Sequence, residues 1–496
     1  MIKNYFYQSK YVSILCIFHL ILWTLIPYIA NQNPHLDVIE NLYWGKEFEA
    51  GYWKHPPLFA WLSYIFYVLC GKNIIGVYLV SQLCVVMAIL SVYNIVLTIF
   101  PKRHDLASYS ALSLGLIYFY NYTTPEFNAN VILLGLLPLS CLLLIKYIQR
   151  QKLYIAILYG IVLGLCFLGK YYSIFFFASH ILCLIWHFRL KIFKDYKLYI
   201  AFLLFCIVVT PNILWLIKND FLTIRYAFNR SEGLDGVMPH IINPFIFLIQ
   251  NLIPCIVIFV LASSIRKSID IKIDRATYIL INILSIGHIC LVALYSVITG
   301  NYVHSMWSST NLYLVPFWLI VINKSDILNK FKYAIPKIRF SILYKKPINL
   351  RSYFKIVLIF NIIALCAYSA KPYLKLKTRV NFPSQEIAQE VQKIPQYEQY
   401  KIFAGNVWIA GSVAYRLDMN PSVSLDFDNI RSPWVKEYYY NKILLFITDN
   451  NMLKEYQDKC ANVNHLFSKD FYYRNKISKS SKSKVAISLY ECFLET

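Results

Sequence analysis

The chain has 496 residues, of which 58% are hydrophobic and only 15% charged. That is more apolar surface than one soluble core can bury, which excludes an ordinary soluble domain. The net charge of +23 is spread over short runs between apolar stretches rather than over one aromatic-interleaved face, so it implies no nucleic-acid partner.

Apolar stretches of spanning length recur near 11–30, 74–100, 106–121, 129–145, 153–169, 171–187, 198–217, 243–263, 277–298, 308–323 and 355–370. They predict an all-α polytopic membrane bundle of about 11 transmembrane helices. The first is an anchor rather than a cleaved signal, since it lacks a small-x-small exit before Asn31. Leu58–Cys70 is apolar but too short to span, and reads as an interfacial helix. Basic residues crowd into alternate loops, at 102–103, 146–152, 189–197, 266–275 and 324–355. The positive-inside rule then places the N-terminus in the cytoplasm and the loop holding Asp37 outside. Asn323–Lys355 reads as an amphipathic stretch on the inner leaflet.

The first outward loop, LDVIENLYWGKEFEAGYWKHPPLFAW over Leu36–Trp61, gathers acids, bases and aromatics. A helix over Asp37–Phe48 would put Asp37, Glu40 and Trp44 on one face. An indole beside carboxylates suits a sugar, whose apolar face it covers while the carboxylates accept hydroxyl hydrogen bonds. Lys54 and His55 come just ahead of Pro56 and Pro57, which fix a turn into the next helix. The plainer reading of this loop is a membrane-surface linker with solvated charges.

Asn121–Asn130, NYTTPEFNAN, carries Glu126 in a second outward loop. It reads as a capped helix start on Thr124 and Pro125, and Glu126, a carboxylate at membrane level, is also a functional candidate. Lys170, Tyr171 and Tyr172 fill a very short outward turn, where a snorkelling lysine and interfacial tyrosines are the plain reading. Arg225 and Arg230 precede Gly233 and Gly236 in a longer loop and suit a phosphate or an anionic acceptor, with solvated charge preferred for Arg230. His304 and Trp307 stand at the outer mouth, where a lone histidine is usually an interfacial hydrogen-bonding group. His304 with an acid could bind a divalent metal, but no ligand spacing supports one.

After Ala370 the composition turns polar, giving a division into a membrane domain over 1–370 and a small outward α/β domain over 371–496. Ser384–Lys393 has helical spacing, while Lys401–Ala404, Ile443–Ile447 and Val485–Tyr490 read as strands. Ten of the twelve cysteines lie in apolar helices as small hydrophobes. An oxidising compartment would allow Cys460 and Cys492 to pair, but the sequence alone leaves that open. No phosphate-cradling glycine motif and no Ser or Cys nucleophile constellation occurs, so a nucleotide-sugar site has no support.

The wording D-x-x-E-x-x-x-W-G followed by G-Y-x-K-H-P-P-L-x-A-W resembles the bacterial branch of the dolichyl-phosphate-mannose protein mannosyltransferase family, which includes lipid A aminoarabinose transferases. Gly405–Trp434, with N-V-W-I-A-G and D-F-D-N-I-R-S-P-W, resembles the tail of the same subgroup. The resemblance implies a GT-C type glycosyltransferase of the bacterial inner membrane that takes a polyprenyl-phosphate sugar as donor and a lipid, glycan or protein as acceptor. It implies a second acid facing the first, here Glu126, and a lysine at the donor phosphate, here Lys170; the chemistry then calls for Asp37 as base and for His55, Lys54 and Arg225 as further cations toward that phosphate. Glu40, Trp44, Tyr171, Tyr172 and His304 would hold the sugar or acceptor, with no cofactor required. Two positions depart from the pattern: Glu126 stands where an aspartate is frequent, and His55 where aminoarabinose transferases have lysine. A transporter or flippase of a lipid-linked glycan is the rival class, but the internal repeats and interrupted midplane helices common in carriers are missing from the sequence.

Overall fold

A computed structural model describes residues 2–231, 236–322, 347–374, 377–425, 428, 430–438, 442–448, 453–454, 460–473 and 484–494. Most of the basic stretch Asn323–Lys355, together with Gly233, Asp426, Phe427 and Asn429, lies outside the described residues. The chain forms two compact units that are discontinuous in sequence. One contains Met1–Trp23, Ser81–Thr124 and Ala129–Leu365; the other contains Thr24–Val80, Pro125–Asn128 and Cys366–Thr496.

Among the described residues eight helices are long and apolar enough to cross a membrane: Ser9–Ala30, Ile75–Ile99, Ala129–Arg150, Tyr171–Lys194, Tyr196–Lys218, Met238–Ser268, Arg275–Thr299 and Leu350–Leu374. They make this a multi-pass membrane protein. The other three predicted spans take shorter forms. His104–Ser113 runs into two single-turn 3-10 segments separated by Ile117, whose extended backbone (φ −99°, ψ 118°) stops the helix. Leu153–Gly169 is helical for only 17 residues. The last is a 3-10 segment, Ser305–Leu312, followed by the seven-residue helix Val315–Val321 with Pro316 in its first turn.

The unit holding the first loop is organised around the helix Leu36–Glu47. Its ends suit the helix dipole, with Asp37 in the first turn and Lys46 in the last. Phe48 stops it in the left-handed region (φ 51°). One side packs on Leu58–Leu69, where Gly45 lets the backbones touch: a Cβ there would stand 2.2 Å from the Ala60 carbonyl oxygen and 2.6 Å from Tyr64 Cβ. The other side packs on Val407–Ala414, where a Cβ on Gly411 would lie 2.7 Å from Ile39 Cγ2. A Gly45→Ala change is therefore expected to cost on the order of 3 kcal/mol by overpacking. Thermal unfolding of the purified variant checks it, and an unchanged midpoint would show that the two helices part easily.

The same unit carries a five-stranded sheet of β1 (Ile402–Gly405), β2 (Ser422–Leu425), β3 (Ile443–Ile447), β4 (Cys460–Tyr472) and β5 (Lys484–Leu494), in the order β2-β1-β3-β5-β4. β1 is parallel to β2 and β3, while β5 is antiparallel to β3 and β4. β1, β2 and β3 are buried throughout, as parallel strands covered on both faces are, although β2 is at the edge of the sheet. The helix Ser384–Val391 matches the spacing in the sequence. Cys460 and Cys492 form a disulfide between β4 and β5, with 5.7 Å between their Cα atoms. The other ten cysteines are free, most of them buried, with Cys290 and Cys366 exposed on apolar helices.

Candidate functional site

Asp37 and Glu126 come together at the N-terminus of the helix Leu36–Glu47. No side chain of His35, the residue ahead of the helix, caps it. The Asp37 amide instead faces the Glu126 carboxylate and favours its ionised form, so a distant acid sits against the positive end of the helix. The Asp37 carboxylate in turn accepts from Asn128 Nδ2 at 2.9 Å. Asn41 Nδ2 donates to the Phe127 carbonyl at 2.7 Å, which holds the segment Pro125–Asn128 along the helix.

Glu126 lies in a turn rather than in the first turn of a helix, because the helix that follows begins only at Ala129. The Thr124 hydroxyl, predicted to cap a helix there, donates to the Asn121 carbonyl at 2.7 Å within a turn of its own. Glu126 keeps 38% of its side-chain surface open. Its partial burial pushes the carboxyl above the usual glutamate range, against the opposing pull of the Asp37 amide, Arg379 and Lys371.

Glu40 is 4% exposed and accepts from Lys54 Nζ at 2.5 Å. Burial nevertheless raises its pKa, because one ammonium does not replace the water that a buried carboxylate loses. The sequence placed Glu40 and Trp44 beside Asp37 as an open sugar platform, whereas the structure turns both inward. Trp44 is 1% exposed, stacked on Tyr52 at 5.0 Å and edge-on to Phe59, so its ring is part of the core. The cause is the clasp on both sides of the helix, which buries Val38–Gly45 and leaves only its two ends near the surface. The aromatic ring at the edge of this cluster is Trp53, with Lys54 Nζ 4.8 Å and the Arg431 guanidinium 4.9 Å from its centroid. His55 lies partly buried, edge-on to Phe59 at 5.5 Å.

In the other unit Lys170 follows the helix Leu153–Gly169 with an extended backbone. It is 7% exposed and donates to Asn130 Oδ1 at 2.6 Å, with Nζ 4.7 Å from the Trp307 centroid and 5.8 Å from that of Tyr172. A buried lysine held by an amide oxygen and two rings is a fixed charge, unlike a snorkelling one. Tyr172 donates to Asn311 Oδ1 at 3.2 Å and Tyr171 to Asn212 Oδ1 at 2.8 Å, so both hydroxyls belong to the buried polar network of this unit. His304 bonds the Arg230 carbonyl through Nε2 at 3.1 Å and packs edge-on to Trp307 at 5.5 Å, supporting the ring that faces Lys170. Arg225 is exposed on the helix Leu222–Ser231. Among the described residues no three His, Cys, Asp or Glu side chains gather as a metal cradle.

Three residues of the carboxylate cluster had no motif to announce them: His35, Lys371 and Arg379. His35 Nδ1 is 3.8 Å from Glu126 Oε2. Lys371 and Arg379 act electrostatically on both His35 and Glu126. The available signals were the histidine two residues before Asp37 and the basic residues at and just after the end of the last span.

Apolar spanning helices with a small mixed sheet define a polytopic membrane fold, and solved structures share it. ArnT from Cupriavidus metallidurans bound to undecaprenyl phosphate matches with a TM-score of 0.58 at 10% identity, over 97% of this chain and 98% of that one. The apo state of ArnT from the same organism matches with a TM-score of 0.56 at 10% identity, over 94% and 96%. In sequence, residues 54–215 match the family of dolichyl-phosphate-mannose-protein mannosyltransferases. That range includes Lys54, His55, Glu126 and Lys170. The lipid A galacturonosyltransferase RgtD of Rhizobium johnstonii is 23% identical over 196 residues, 39% of this chain and 40% of that relative's length.

Proposed function

We propose that the chain is an integral membrane glycosyltransferase that moves a sugar from a polyprenyl-phosphate donor to a hydroxyl or phosphate of lipid A or a related glycolipid, at the outer face of the bacterial inner membrane. The observation that carries the reading is the Asp37–Glu126 pair of acids at a helix N-terminus, where Asn128 bonds Asp37 and Asn41 bonds the Phe127 carbonyl, holding the Glu126 segment along the helix. A relative that acts on lipid A and a fold shared with a protein that binds undecaprenyl phosphate support the acceptor and donor classes.

For a hydroxyl acceptor, Asp37 takes the proton as the acceptor oxygen bonds to the anomeric carbon. The bond from that carbon to the phosphate oxygen breaks, and its electron pair leaves with the lipid phosphate. The anomeric centre inverts. Glu126 orients the sugar or acceptor and is the alternative base. Lys170 is assigned to the donor phosphate as a fixed cation, with His55, Lys54 and Arg225 as further positive partners. Tyr171, Tyr172 and His304 are assigned to the surroundings of that lysine. The displacement calls on no cofactor.

The test supplies undecaprenyl-phosphate-linked galacturonic acid or aminoarabinose and lipid A to the purified full-length chain, and reads the free lipid phosphate released with and without a chelator. Donor cleavage coupled to a mass gain on lipid A, undiminished by chelation, is expected. Intact donor in the presence of every acceptor would favour the flippase, which moves lipids without breaking covalent bonds. Loss of cleavage on chelation would overturn the cofactor-free mechanism.

A further inference from the structure

The hydrogen bonds behind Glu126 run through a chain of side chains that the reaction as described does not use. Asn31 Nδ2 donates to the Tyr368 hydroxyl at 2.7 Å and to the Tyr78 hydroxyl at 3.2 Å. The Tyr368 hydroxyl also pairs with His35 Nε2 at 2.9 Å, and in the arrangement taken here it donates its proton to that nitrogen. A neutral imidazole that accepts at Nε2 carries its proton on Nδ1. That nitrogen stands 3.8 Å from Glu126 Oε2.

We propose that His35 is a positioning residue, a neutral imidazole whose Nδ1–H is aimed at Glu126 by Tyr368 and Asn31 and fixes the carboxylate for sugar transfer. The proposal rests on the transferase reading above. At 3.8 Å the pair is wider than a hydrogen bond, and a side-chain shift of about 1 Å closes it. Neutrality follows from the surroundings. Burial, then the charges of Lys371 and Arg379, push the His35 pKa down to about 4. An imidazolium would form an ion pair with Glu126 and weaken it as a base, whereas a neutral N–H orients it and leaves it basic. Glu126 meets His35 from just ahead of the first-loop helix, the Asp37 amide and Glu40 from that helix, Lys371 from the end of the last span and Arg379 from beyond it.

Asparagine places an amide N–H near the position of Nδ1, and glutamine places one near Nε2. Membranes carrying wild type, His35→Asn, His35→Gln, His35→Ala and Tyr368→Phe are compared for the mass gain on lipid A from about pH 5 to pH 8. His35→Asn is expected to stay within about threefold of wild type, while His35→Gln and His35→Ala fall on the order of 10- to 100-fold. Their acid limb moves to higher pH, because the ionised Glu126 has lost a donor. Rescue by Gln instead of Asn, or full activity in His35→Ala, overturns the proposal, and so does equal loss in all three with an unmoved acid limb. A second readout needs no turnover: nitrogen NMR of the histidine-labelled full-length chain, with His35→Asn identifying the signal. The Nδ1-protonated tautomer is expected, and an Nε2-protonated or cationic ring overturns the proposal even if wild type transfers no sugar. Failure of wild-type transfer alone counts against the transferase reading.

Discussion

Asp37→Asn is expected to lower sugar transfer on the order of 1000-fold, about 4 kcal/mol of barrier, while leaving the protein folded. Asparagine has nearly the same shape and keeps a side-chain oxygen to accept from Asn128 Nδ2. What it loses is the charge in the first turn of Leu36–Glu47, worth about 0.3–1 kcal/mol of stability against the helix dipole. Rate and stability therefore separate, and a thermal melt beside the rate measurement shows it. Glu126→Gln is expected to fall less far if Glu126 orients while Asp37 takes the proton. The opposite ranking would exchange the two roles.

The second large effect concerns stability. Lys54→Met leaves Glu40, 4% exposed, without the ammonium that sits 2.5 Å from its oxygen. Removing one partner of a buried pair costs about 3–5 kcal/mol. Because burial already raises the Glu40 pKa, the folded state holds its proton to higher pH than the unfolded chain does. The stability linked to that proton is present at acidic pH and is lost as pH rises through the folded value. The Lys54→Met protein should accordingly melt higher near pH 5 than near pH 7, and Glu40→Gln added to it should remove the difference. A flat pH response would mean that Glu40 is not the buried charge responsible.

Hydropathy made the long spans legible, since twenty apolar residues in a row have few other uses. The site helix was legible to within a residue at each end, Asp37–Phe48 expected and Leu36–Glu47 found. The faces were harder to read. Spacing puts Asp37, Glu40 and Trp44 on one side, but it cannot say that Gly45 and Gly411 admit neighbours close enough to bury Glu40 and Trp44. β2, S-V-S-L, gives a weak signal because its alternation lasts only four residues and both serines are buried despite their polarity. β4 was overlooked because it is an edge strand, largely polar and exposed over CANVNHLFSKDFY. His35 and Tyr368 are 333 residues apart, and no local pattern encodes such a pairing.

The most direct measurement compares the masses of lipid A and surface glycolipids from cells with the intact gene, without the gene, and with Asp37→Asn at a matched membrane level of protein. The account predicts one sugar-sized mass, present with the intact gene and missing from both other strains. Identical lipid masses in all three would contradict transfer to lipid, and a mass retained by Asp37→Asn would contradict Asp37 as the base.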